Sequence, residues 1–364
     1  MAARLFILVL LVSACVPRAD AIVRHVPGVT ETETVFIATT RKETADGQFS
    51  SERSETPSFL QMTISIPPER EPGELDFPTG RHVDPKTEFF VSDRIDYDGQ
   101  PAFQQALARE FARRPADNRE AVVYVHGFNN TFGDGVLRIA QLAHDFRING
   151  VAVHYAWPSA ASTLGYEYDR DSQLIARDAL EQLIHTIHAA GARRILIVGH
   201  SMGAMLTLEV LRQTEIGDPG SVSRLIKGVV LISPDIDVDL FRSQARRIGK
   251  LPQPFAIFVS RKDRALFLSS LISGRDRRLG NILSAEAVSD LDVTVIDVTS
   301  FSSGIGHFTP GTSPVLIRLL TGAAALDQAF RGGAAHNIGL LPGVLVSVRN
   351  ATELVLSPLA PGTN

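Results

Sequence analysis

The chain has 364 residues, of which 44% are hydrophobic and 21% charged, and its formal net charge is −4 at pH 7. These proportions are typical of a globular protein that is long enough to bury a sizeable core. A sequence pI near 6.2 leaves no basic surface for phosphates, which excludes nucleic acid as a partner.

The first fifteen residues, MAARLFILVLLVSAC, have the pattern of a secretion signal. One positive charge at Arg4 precedes an apolar run from Leu5 to Val12, which is too short to span a bilayer. The letters VSAC resemble the lipobox of bacterial lipoproteins, in which the cysteine is lipidated and becomes the first mature residue. Residues 1–14 are therefore predicted to be a signal peptide, with the exported protein held in the cell envelope by a membrane anchor on Cys15, facing the periplasm. The alternative is an ordinary signal peptide with a chance cysteine near its cleavage site.

The next residues are polar and precede the first strand patterns. Residues 15–33 are rich in Thr and Glu, and we expect them to form a tether to a folded domain that spans 34–330. Apolar and β-branched residues predict strands at 34–40 and 60–66. Residues 101–113 favour a helix that begins at a proline.

From residue 121 onward, strand and helix patterns alternate. Continuous apolar runs, typical of strands buried on both faces, are separated by segments with apolar residues at helical spacing. The predicted strands lie at 121–127, 151–157, 194–200, 226–237, 254–260 and 292–299, and the predicted helices at 135–150, 171–191 and 203–213. Such units predict an α/β domain whose mostly parallel central sheet has helices on both faces. For the tail at 331–364, a hairpin, a helix and a surface segment all remain open.

One segment, ILIVGHSMGAML at 195–206, contains a serine with glycines at both second neighbours. Gly199 follows a buried strand and Gly203 opens a helix, which is the context that a G-x-S-x-G nucleophile turn requires. On such a turn the glycines let the backbone crowd together, and the serine hydroxyl is lifted above the sheet. Ser201 is therefore predicted to be a nucleophile. The alternative is a serine that has glycine neighbours by chance.

A serine hydroxyl attacks efficiently only when a base takes its proton, so a histidine must lie beside Ser201. Along the chain, the expected order is nucleophile, acid, histidine. The histidines after Ser201 are His307, in a loop rich in Gly and Ser that follows a predicted strand, and His336 in the tail. His307 is the predicted base, and a surface loop histidine is the alternative.

The acid should orient the imidazole and stabilise its charged form. Asp263 follows the penultimate strand of the predicted domain and is the predicted acid. Asp235 and Asp237 follow the strand before it and remain alternatives. A helix cap or a surface ion pair is the non-catalytic explanation for Asp263.

Two backbone amides are predicted to form an oxyanion hole. One is the amide of Met202, directly after the nucleophile, and the other is that of Phe128, in the loop after an earlier strand. We expect the side chain of His126 to shape this loop and not to act as the base. Asn129 and Asn130 are expected to brace the loop through side-chain hydrogen bonds.

A second loop, YAWPSAASTLGYEYD at 155–169, follows another strand whose carboxyl end faces the same edge of the sheet. It carries three aromatic residues, Trp157, Tyr166 and Tyr168. They are predicted to form a wall for the acyl or leaving group, with ordinary packing as the alternative.

In its motifs the chain resembles a bacterial α/β-hydrolase family, long known as a domain of unknown function, with esterase-like members. The matching stretches lie in order over most of residues 34–310 and are VFIATTR, FSSERS, SISIPPEREPGELDFP, VVYVHGFNNTF, RIAQLAHDF, YAWPS, VGHSMGAML, SPDID, VSRKDRALFLSS and GHF. The resemblance implies an α/β-hydrolase fold, and it assigns nucleophile, acid and base to Ser201, Asp263 and His307. It implies no defined substrate.

Taken together, these residues predict a serine hydrolase that cleaves small-molecule or lipid carboxylic esters through an acyl-enzyme intermediate. No metal or organic cofactor is predicted, because the histidines lack zinc-protease spacing and there is no Gly-rich phosphate loop. An acyltransferase or amidase with the same triad is one alternative. A non-catalytic envelope lipoprotein that uses the fold as a scaffold is another.

Overall fold

The computed structural model describes residues 17–273, 278–302, 304, 306–321, 339–341, 344–350 and 353–358. The predicted signal peptide at 1–14, Cys15 and His336 lie outside the described residues.

Within the described chain, twelve strands form one sheet. They are β1 (Glu31–Glu43), β2 (Phe49–Ile66), β3 (Phe90–Tyr97), β4 (Glu120–Val125), β5 (Val151–Ala156), β6 (Arg194–His200), β7 (Gly228–Ile232), β8 (Phe255–Val259), β9 (Thr294–Asp297), β10 (Gly339–Leu341), β11 (Val344–Asn350) and β12 (Glu353–Pro358). Their order across the sheet is β10-β11-β12-β9-β8-β7-β6-β4-β5-β1-β2-β3. The strands from β12 to β1 in this order run parallel, and antiparallel strands complete both edges.

The described helices pack on both faces of the parallel strands. They are α1 (Gly99–Ala112), α2 (Phe132–Asp145), α3 (Tyr166–Ala189), α4 (Met202–Gly217), α5 (Ser221–Leu225), α6 (Val238–Ile248), α7 (Arg264–Ser273), α8 (Thr309–Thr312) and α9 (Pro314–Thr321). In β8, Phe255 and Ile257 join a core cluster with α1, α3, α4 and α6, while Ala256 and Phe258 join a cluster that includes Leu316 of α9. Because side chains alternate between the faces of a strand, these clusters lie on opposite sides of the sheet. The predicted mostly parallel α/β fold is confirmed.

The first described residues do not form the predicted tether. Ala19 and Ala21 are buried, and the backbone amide of Arg24 donates to the carbonyl oxygen of Val91 in β3 at 2.8 Å. The approach depends on Gly133, where an added Cβ would lie 2.5 Å from the carbonyl oxygen of Ala19. The prediction of a tether over 15–33 is therefore wrong for this segment, which is packed onto the domain.

The described part of the tail belongs to the sheet. β11 and β12 form an antiparallel pair, and β12 pairs in parallel with β9. Leu354 and Leu356 of β12 are buried in the core beside β9. Of the three structures left open, the hairpin is the one observed, so the predicted domain boundary near residue 330 is wrong. None of the helices in the described ranges has the length and apolar composition needed to cross a membrane.

Candidate active site

Ser201 alone connects β6, which ends at His200, to α4, which begins at Met202. Its φ of 54° and ψ of −119° are unusual for a residue with a side chain. A backbone in such a region persists only when the surrounding structure holds it there, and it is frequent at catalytic residues. The strand, the strained serine and the helix reproduce the turn that the sequence predicts.

The glycines on either side of Ser201 make this turn possible. A Cβ on Gly203 would lie 2.3 Å from the carbonyl oxygens of both Val125, the last residue of β4, and His126, which follows it. A Cβ on Gly199 would lie 2.8 Å from the Cα of Ala204. Real side chains do not tolerate such distances, so both positions require glycine for the helix to pack closely on the neighbouring strand.

The predicted acid and base are in direct contact. Nδ1 of His307 lies 2.8 Å from Oδ2 of Asp263. The Asp263 side chain has no exposed surface, whereas that of His307 is 19% exposed. The other carboxylate oxygen of Asp263 accepts from the backbone amide of Leu266 at 3.0 Å, at the start of α7. A carboxylate at Nδ1 favours the tautomer protonated on that nitrogen, which leaves Nε2 as the basic nitrogen.

His200 brings the loop of His307 to the turn at Ser201. Nε2 of His200 lies 3.2 Å from the carbonyl oxygen of His307, and the centroids of the two imidazole rings are 4.8 Å apart. Burial, with a smaller contribution from His307, lowers the pKa of His200 well below its usual value, so the ring is neutral. In the neutral tautomer that carries its proton on Nε2, the ring donates to this carbonyl. Nothing in the sequence indicates this positioning role of His200.

The alternative acids have other partners. Asp235 is buried, and its carboxylate contacts Tyr166 Oη at 3.0 Å, Ser269 Oγ at 2.7 Å and Arg278 Nε at 3.2 Å. Asp237 is the N-cap of α6 and accepts from the backbone amides of Asp239 and Leu240. Of the three acids that the sequence offers, Asp263 is the one that contacts His307.

The loop after β4 lies directly against the nucleophile turn. A Cβ on Gly127 would lie 2.8 Å from both the Cβ of Ser201 and Nδ1 of His200. Phe128 is the residue after this contact. Met202 is the first residue of α4, so its amide has no acceptor within the helix. The two predicted oxyanion donors therefore belong to residues next to the contact between Gly127 and Ser201, and their role stays a prediction.

The loop is braced by its own asparagines, as the sequence suggests. Nδ2 of Asn130 donates to the carbonyl oxygen of Phe128 at 2.8 Å. Asn129 has a φ of 58°, and its carbonyl oxygen accepts from the guanidinium of Arg18 at 2.8 Å. The loop is thus also tied to the packed N-terminal segment.

Two buried charged residues that the sequence analysis does not identify, Arg41 and Asp169, also hold this loop. The guanidinium of Arg41 at the end of β1 donates to the carbonyl oxygens of Asn130 at 2.7 Å and Ser159 at 3.1 Å. Asp169 accepts from the amide of Asn129 at 3.2 Å and from the hydroxyl of Ser159 at 2.6 Å. Burial lowers the pKa of Arg41 to about 10 and raises that of Asp169. A charged residue in the otherwise apolar and Thr-containing stretch VFIATTR is the sequence signal that could have revealed this brace.

Trp157 does not form a pocket wall, because its side chain has no exposed surface. Its ring stacks on His126 at a centroid distance of 4.8 Å, and its Nε1 donates to the carbonyl oxygen of His126 at 2.8 Å. Burial lowers the pKa of His126 well below its usual value. This fully buried pair supports the loop of Phe128, so His126 has the structural role expected of it and Trp157 shares that role.

The two tyrosines of the predicted wall have different surroundings. The ring of Tyr166 meets that of Phe128 edge-on, with centroids 5.6 Å apart. Tyr168 instead donates from its hydroxyl to the carbonyl oxygen of Ser51 in β2 at 2.8 Å, and the Arg53 guanidinium lies over its ring. The prediction of a three-residue wall is therefore wrong for Trp157 and unsupported for Tyr168. Of the three, Tyr166 is the one whose ring is seen to contact that of Phe128.

A serine at a strained turn, an imidazole on a carboxylate and the amides of Phe128 and Met202 belong to neighbouring loops, which His200 and Gly127 connect. These groups can move a proton from a hydroxyl and stabilise a developing anion. Among the described residues, no group of three His, Cys, Asp or Glu side chains is arranged to hold a metal ion.

The mostly parallel sheet and the strand–serine–helix turn define the protein as an α/β hydrolase. More particularly, the chain belongs to the family of alpha/beta hydrolases of unknown function (DUF900), whose model matches residues 100–322. The resemblance noted in the sequence motifs is confirmed. No curated protein matches the chain.

Among the solved structures to which the chain is similar are three esterases. The esterase Est2 from Thermogutta terrifontis is 13% identical, with a TM-score of 0.36, over 78% of this chain and 91% of that chain. The carboxylesterase EstE1 from a metagenomic library is 14% identical, with a TM-score of 0.33, over 83% and 90%. An esterase from Pyrococcus furiosus is 10% identical, with a TM-score of 0.35, over 86% and 98%. Scores this low carry no information about the substrate.

Proposed function

We propose that the protein is a serine hydrolase that cleaves carboxylic esters through an acyl-enzyme intermediate. The observation that carries the proposal is the hydrogen bond between Asp263 and His307, at a loop that His200 connects to the turn of Ser201. Membership of an α/β-hydrolase family supports the same class of reaction.

In the proposed first step, the hydroxyl oxygen of Ser201 attacks the acyl carbon while Nε2 of His307 takes the hydroxyl proton. Asp263 holds the Nδ1 proton and stabilises the imidazolium that forms. The carbonyl oxygen of the ester becomes an oxyanion between the amides of Phe128 and Met202. When the intermediate collapses, the alcohol leaves with the proton from His307, and the acyl group remains on Ser201.

In the second step, water attacks the acyl-enzyme while Nε2 of His307 takes a proton from it. Collapse of the second tetrahedral intermediate returns this proton to the oxygen of Ser201 and releases the carboxylic acid. The amides are fixed before the reaction by the braces of the loop and by the start of α4. Donors that are preorganised in this way typically contribute about 10²- to 10³-fold each to turnover.

The test is labelling by a fluorophosphonate together with hydrolysis of a short-chain p-nitrophenyl ester. Wild type should react with both, and Ser201→Ala and His307→Ala should react with neither while retaining their circular dichroism spectra. Ser289→Ala, at an exposed serine away from the site, is the matched control and should keep full reactivity. Labelling that persists in Ser201→Ala contradicts the assignment of Ser201 as the nucleophile. A folded wild type that does not react even with paraoxon contradicts the proposed hydrolase activity and favours the alternative of a non-catalytic scaffold.

A competing alcohol in the same assay distinguishes hydrolysis from acyl transfer. If Ser201 passes its acyl group to water, added alcohols leave the carboxylic acid as the main product. A predominant new ester identifies an acyltransferase, and cleavage of the matching amide at a comparable rate identifies an amidase.

We further propose that the chain is exported and anchored through a lipid on Cys15. The support is the sequence pattern of the first fifteen residues. Metabolic labelling with an alkyne fatty acid should mark the wild type and not Cys15→Ser. Equal incorporation into both contradicts the anchor.

A further inference from the structure

We propose that the outer face of α7 docks on an anionic lipid surface and turns the mouth of the active site toward the bilayer. For its substrate class this inference rests on the function proposed above: the esters would be acyl lipids drawn from that surface.

The outer face of α7 is apolar and exposed. Four of its side chains are more than half exposed, namely Phe267 at 61%, Leu268 at 58%, Leu271 at 60% and Ile272 at 52%. Their spacing places them on one side of a ten-residue helix, with Leu266 and Ser269 buried on the other. Single exposed apolar residues are ordinary, but a contiguous group marks a surface that interacts.

The inner side of α7 borders the candidate active site. The helix begins directly after Asp263, and Oγ of Ser269 lies 2.9 Å from the hydroxyl of Tyr166, whose ring contacts Phe128. Whatever covers the outer face of α7 therefore lies next to Asp263 and to the loop that contains Phe128.

Charge favours a lipid surface as the occupant. Lys262 and Arg264 flank Asp263 and are exposed at the beginning of α7. Arg261, which precedes them, is also exposed, but its guanidinium pairs with Asp297 at 2.9 Å. Basic side chains next to an exposed apolar helix face are the combination that binds anionic bilayers, because the apolar face enters the acyl boundary while the cations meet the headgroups.

The N-terminal segment indicates the same orientation. Arg18 contacts the carbonyl oxygen of Asn129 at 2.8 Å, one residue after the predicted oxyanion donor Phe128. Cys15 lies three residues before Arg18 in the sequence, so at most about 11 Å of extended chain separates their Cα atoms. A lipid at this position and an apolar helix beside the acid loop would hold the same edge of the sheet against one membrane.

A fluorescent reporter on α7 tests the orientation without reference to catalysis. The protein has a single cysteine, so Leu271→Cys in a full chain that carries Cys15→Ser gives one site for an NBD label. On vesicles of phosphatidylcholine and phosphatidylglycerol, NBD emission should shift to the blue and be quenched by doxyl-labelled lipid. Ile216→Cys is the matched control, since Ile216 is exposed and lies about 22 Å along α4 from Ser201. It should show neither change.

Vesicles of phosphatidylcholine alone should give a weaker response, because they offer no charge to the basic residues. An unshifted Leu271→Cys reporter on vesicles that bind the protein overturns the proposal. Equal quenching at Leu271→Cys and Ile216→Cys also overturns it.

Turnover of an ester in vesicles and of a dissolved short-chain ester tests the consequence for substrate. In Leu268→Glu/Leu271→Glu, the ratio of vesicle to dissolved turnover should fall about tenfold, since membrane binding scales with the apolar area that is buried. Ile216→Glu should leave the ratio unchanged. If the dissolved ester is cleaved but NBD emission at Leu271→Cys does not shift, the docking proposal is wrong and the proposed hydrolase function is retained. A shift at Leu271→Cys with neither ester cleaved means that docking stands and the proposed function fails.

Discussion

Replacing Asp263 with asparagine is the sharpest test of the candidate triad. Asp263 accepts from the amide of Leu266 at 3.0 Å through one oxygen and contacts Nδ1 of His307 at 2.8 Å through the other. Asparagine has one acceptor oxygen, and if it serves the fixed backbone amide, its NH₂ group faces the imidazole. His307 must then present a lone pair at Nδ1 and carry its proton on Nε2. That tautomer cannot take the proton of Ser201.

The expected loss in kcat/KM is about 10⁴-fold, which corresponds to about 5 kcal/mol of transition-state stabilisation. The fold should tolerate the change, because asparagine matches aspartate in shape. The assay is steady-state hydrolysis of a short-chain p-nitrophenyl ester, with the rate of fluorophosphonate labelling as a second readout. Thermal unfolding of the same samples reports whether the variant is folded.

Asp235→Asn is the matched control, since Asp235 is almost as buried and is the competing acid from the sequence. Its partners are Tyr166, Ser269 and Arg278, so the variant should lose stability but keep its kcat within about tenfold. If Asp235→Asn loses more activity than Asp263→Asn, the acid is misassigned. If Asp263→Asn keeps activity within tenfold of wild type, the tautomer argument is refuted.

Three further variants test the supports of the site by chemical denaturation or pH titration. Gly203→Ala places a Cβ 2.3 Å from the carbonyl oxygen of His126 and should lower the free energy of unfolding by about 1–3 kcal/mol; an unchanged value would mean that α4 can shift freely. Arg41→Met leaves the carbonyl oxygens of Asn130 and Ser159 without their buried donor and should lower the free energy of unfolding by about 1–3 kcal/mol; an unchanged value would contradict the brace. Burial lowers the pKa of His154 to about 3, so between pH 6.5 and 3 the unfolded chain binds a proton there that the folded chain does not, and stability falls as pH falls. His154→Gln should therefore reduce the slope of unfolding free energy against pH by about 1.4 kcal/mol per unit, and an unchanged slope would contradict a neutral buried imidazole.

The alternation of strands and helices after residue 121 could be predicted because each element carries its own signal. A strand buried on both faces must be apolar throughout, and an amphipathic helix must show its period, so local sequence suffices. Element ends are less well determined. The strand predicted at 226–237 ends at Ile232, because the backbone turns at Ser233, where φ is 44°.

The edges of the domain could not be predicted in the same way, since their contacts depend on distant residues. Ala19 is buried because the missing Cβ of Gly133 admits its backbone and because Oδ1 of Asp134 accepts its amide at 3.0 Å. The sequence of residues 15–33 gives no indication that Gly133 and Asp134 contact this segment. A polar, Thr-rich segment has the same composition whether it is free or docked.

The candidate site divides along the same line. Ser201 is recognisable because its neighbours alone define the turn. The order after the strands favours His307 and Asp263 but leaves Asp235 and Asp237 open, and the contact between Asp263 and His307 is seen only in the structure. The brace of Arg41 and Asp169 joins segments that are far apart in the chain, so the local pattern in VFIATTR can mark the arginine but not its partners. The prediction that Trp157 forms a pocket wall is wrong because an aromatic residue after a strand has the same sequence pattern whether it faces a pocket or supports the adjacent loop.

The strained backbone of the site lies beside both predicted oxyanion donors. Ser201 precedes Met202 and has a φ of 54°, while Asn129 follows Phe128 and has a φ of 58°. Each conformation costs of the order of 1–3 kcal/mol and must be held by its surroundings. The amide of Ser201 donates to Ile232 at 3.0 Å, and Asn129 is fixed at both its amide and its carbonyl. These contacts fix the backbone next to both predicted donors before substrate arrives, as the stabilisation of an oxyanion would require.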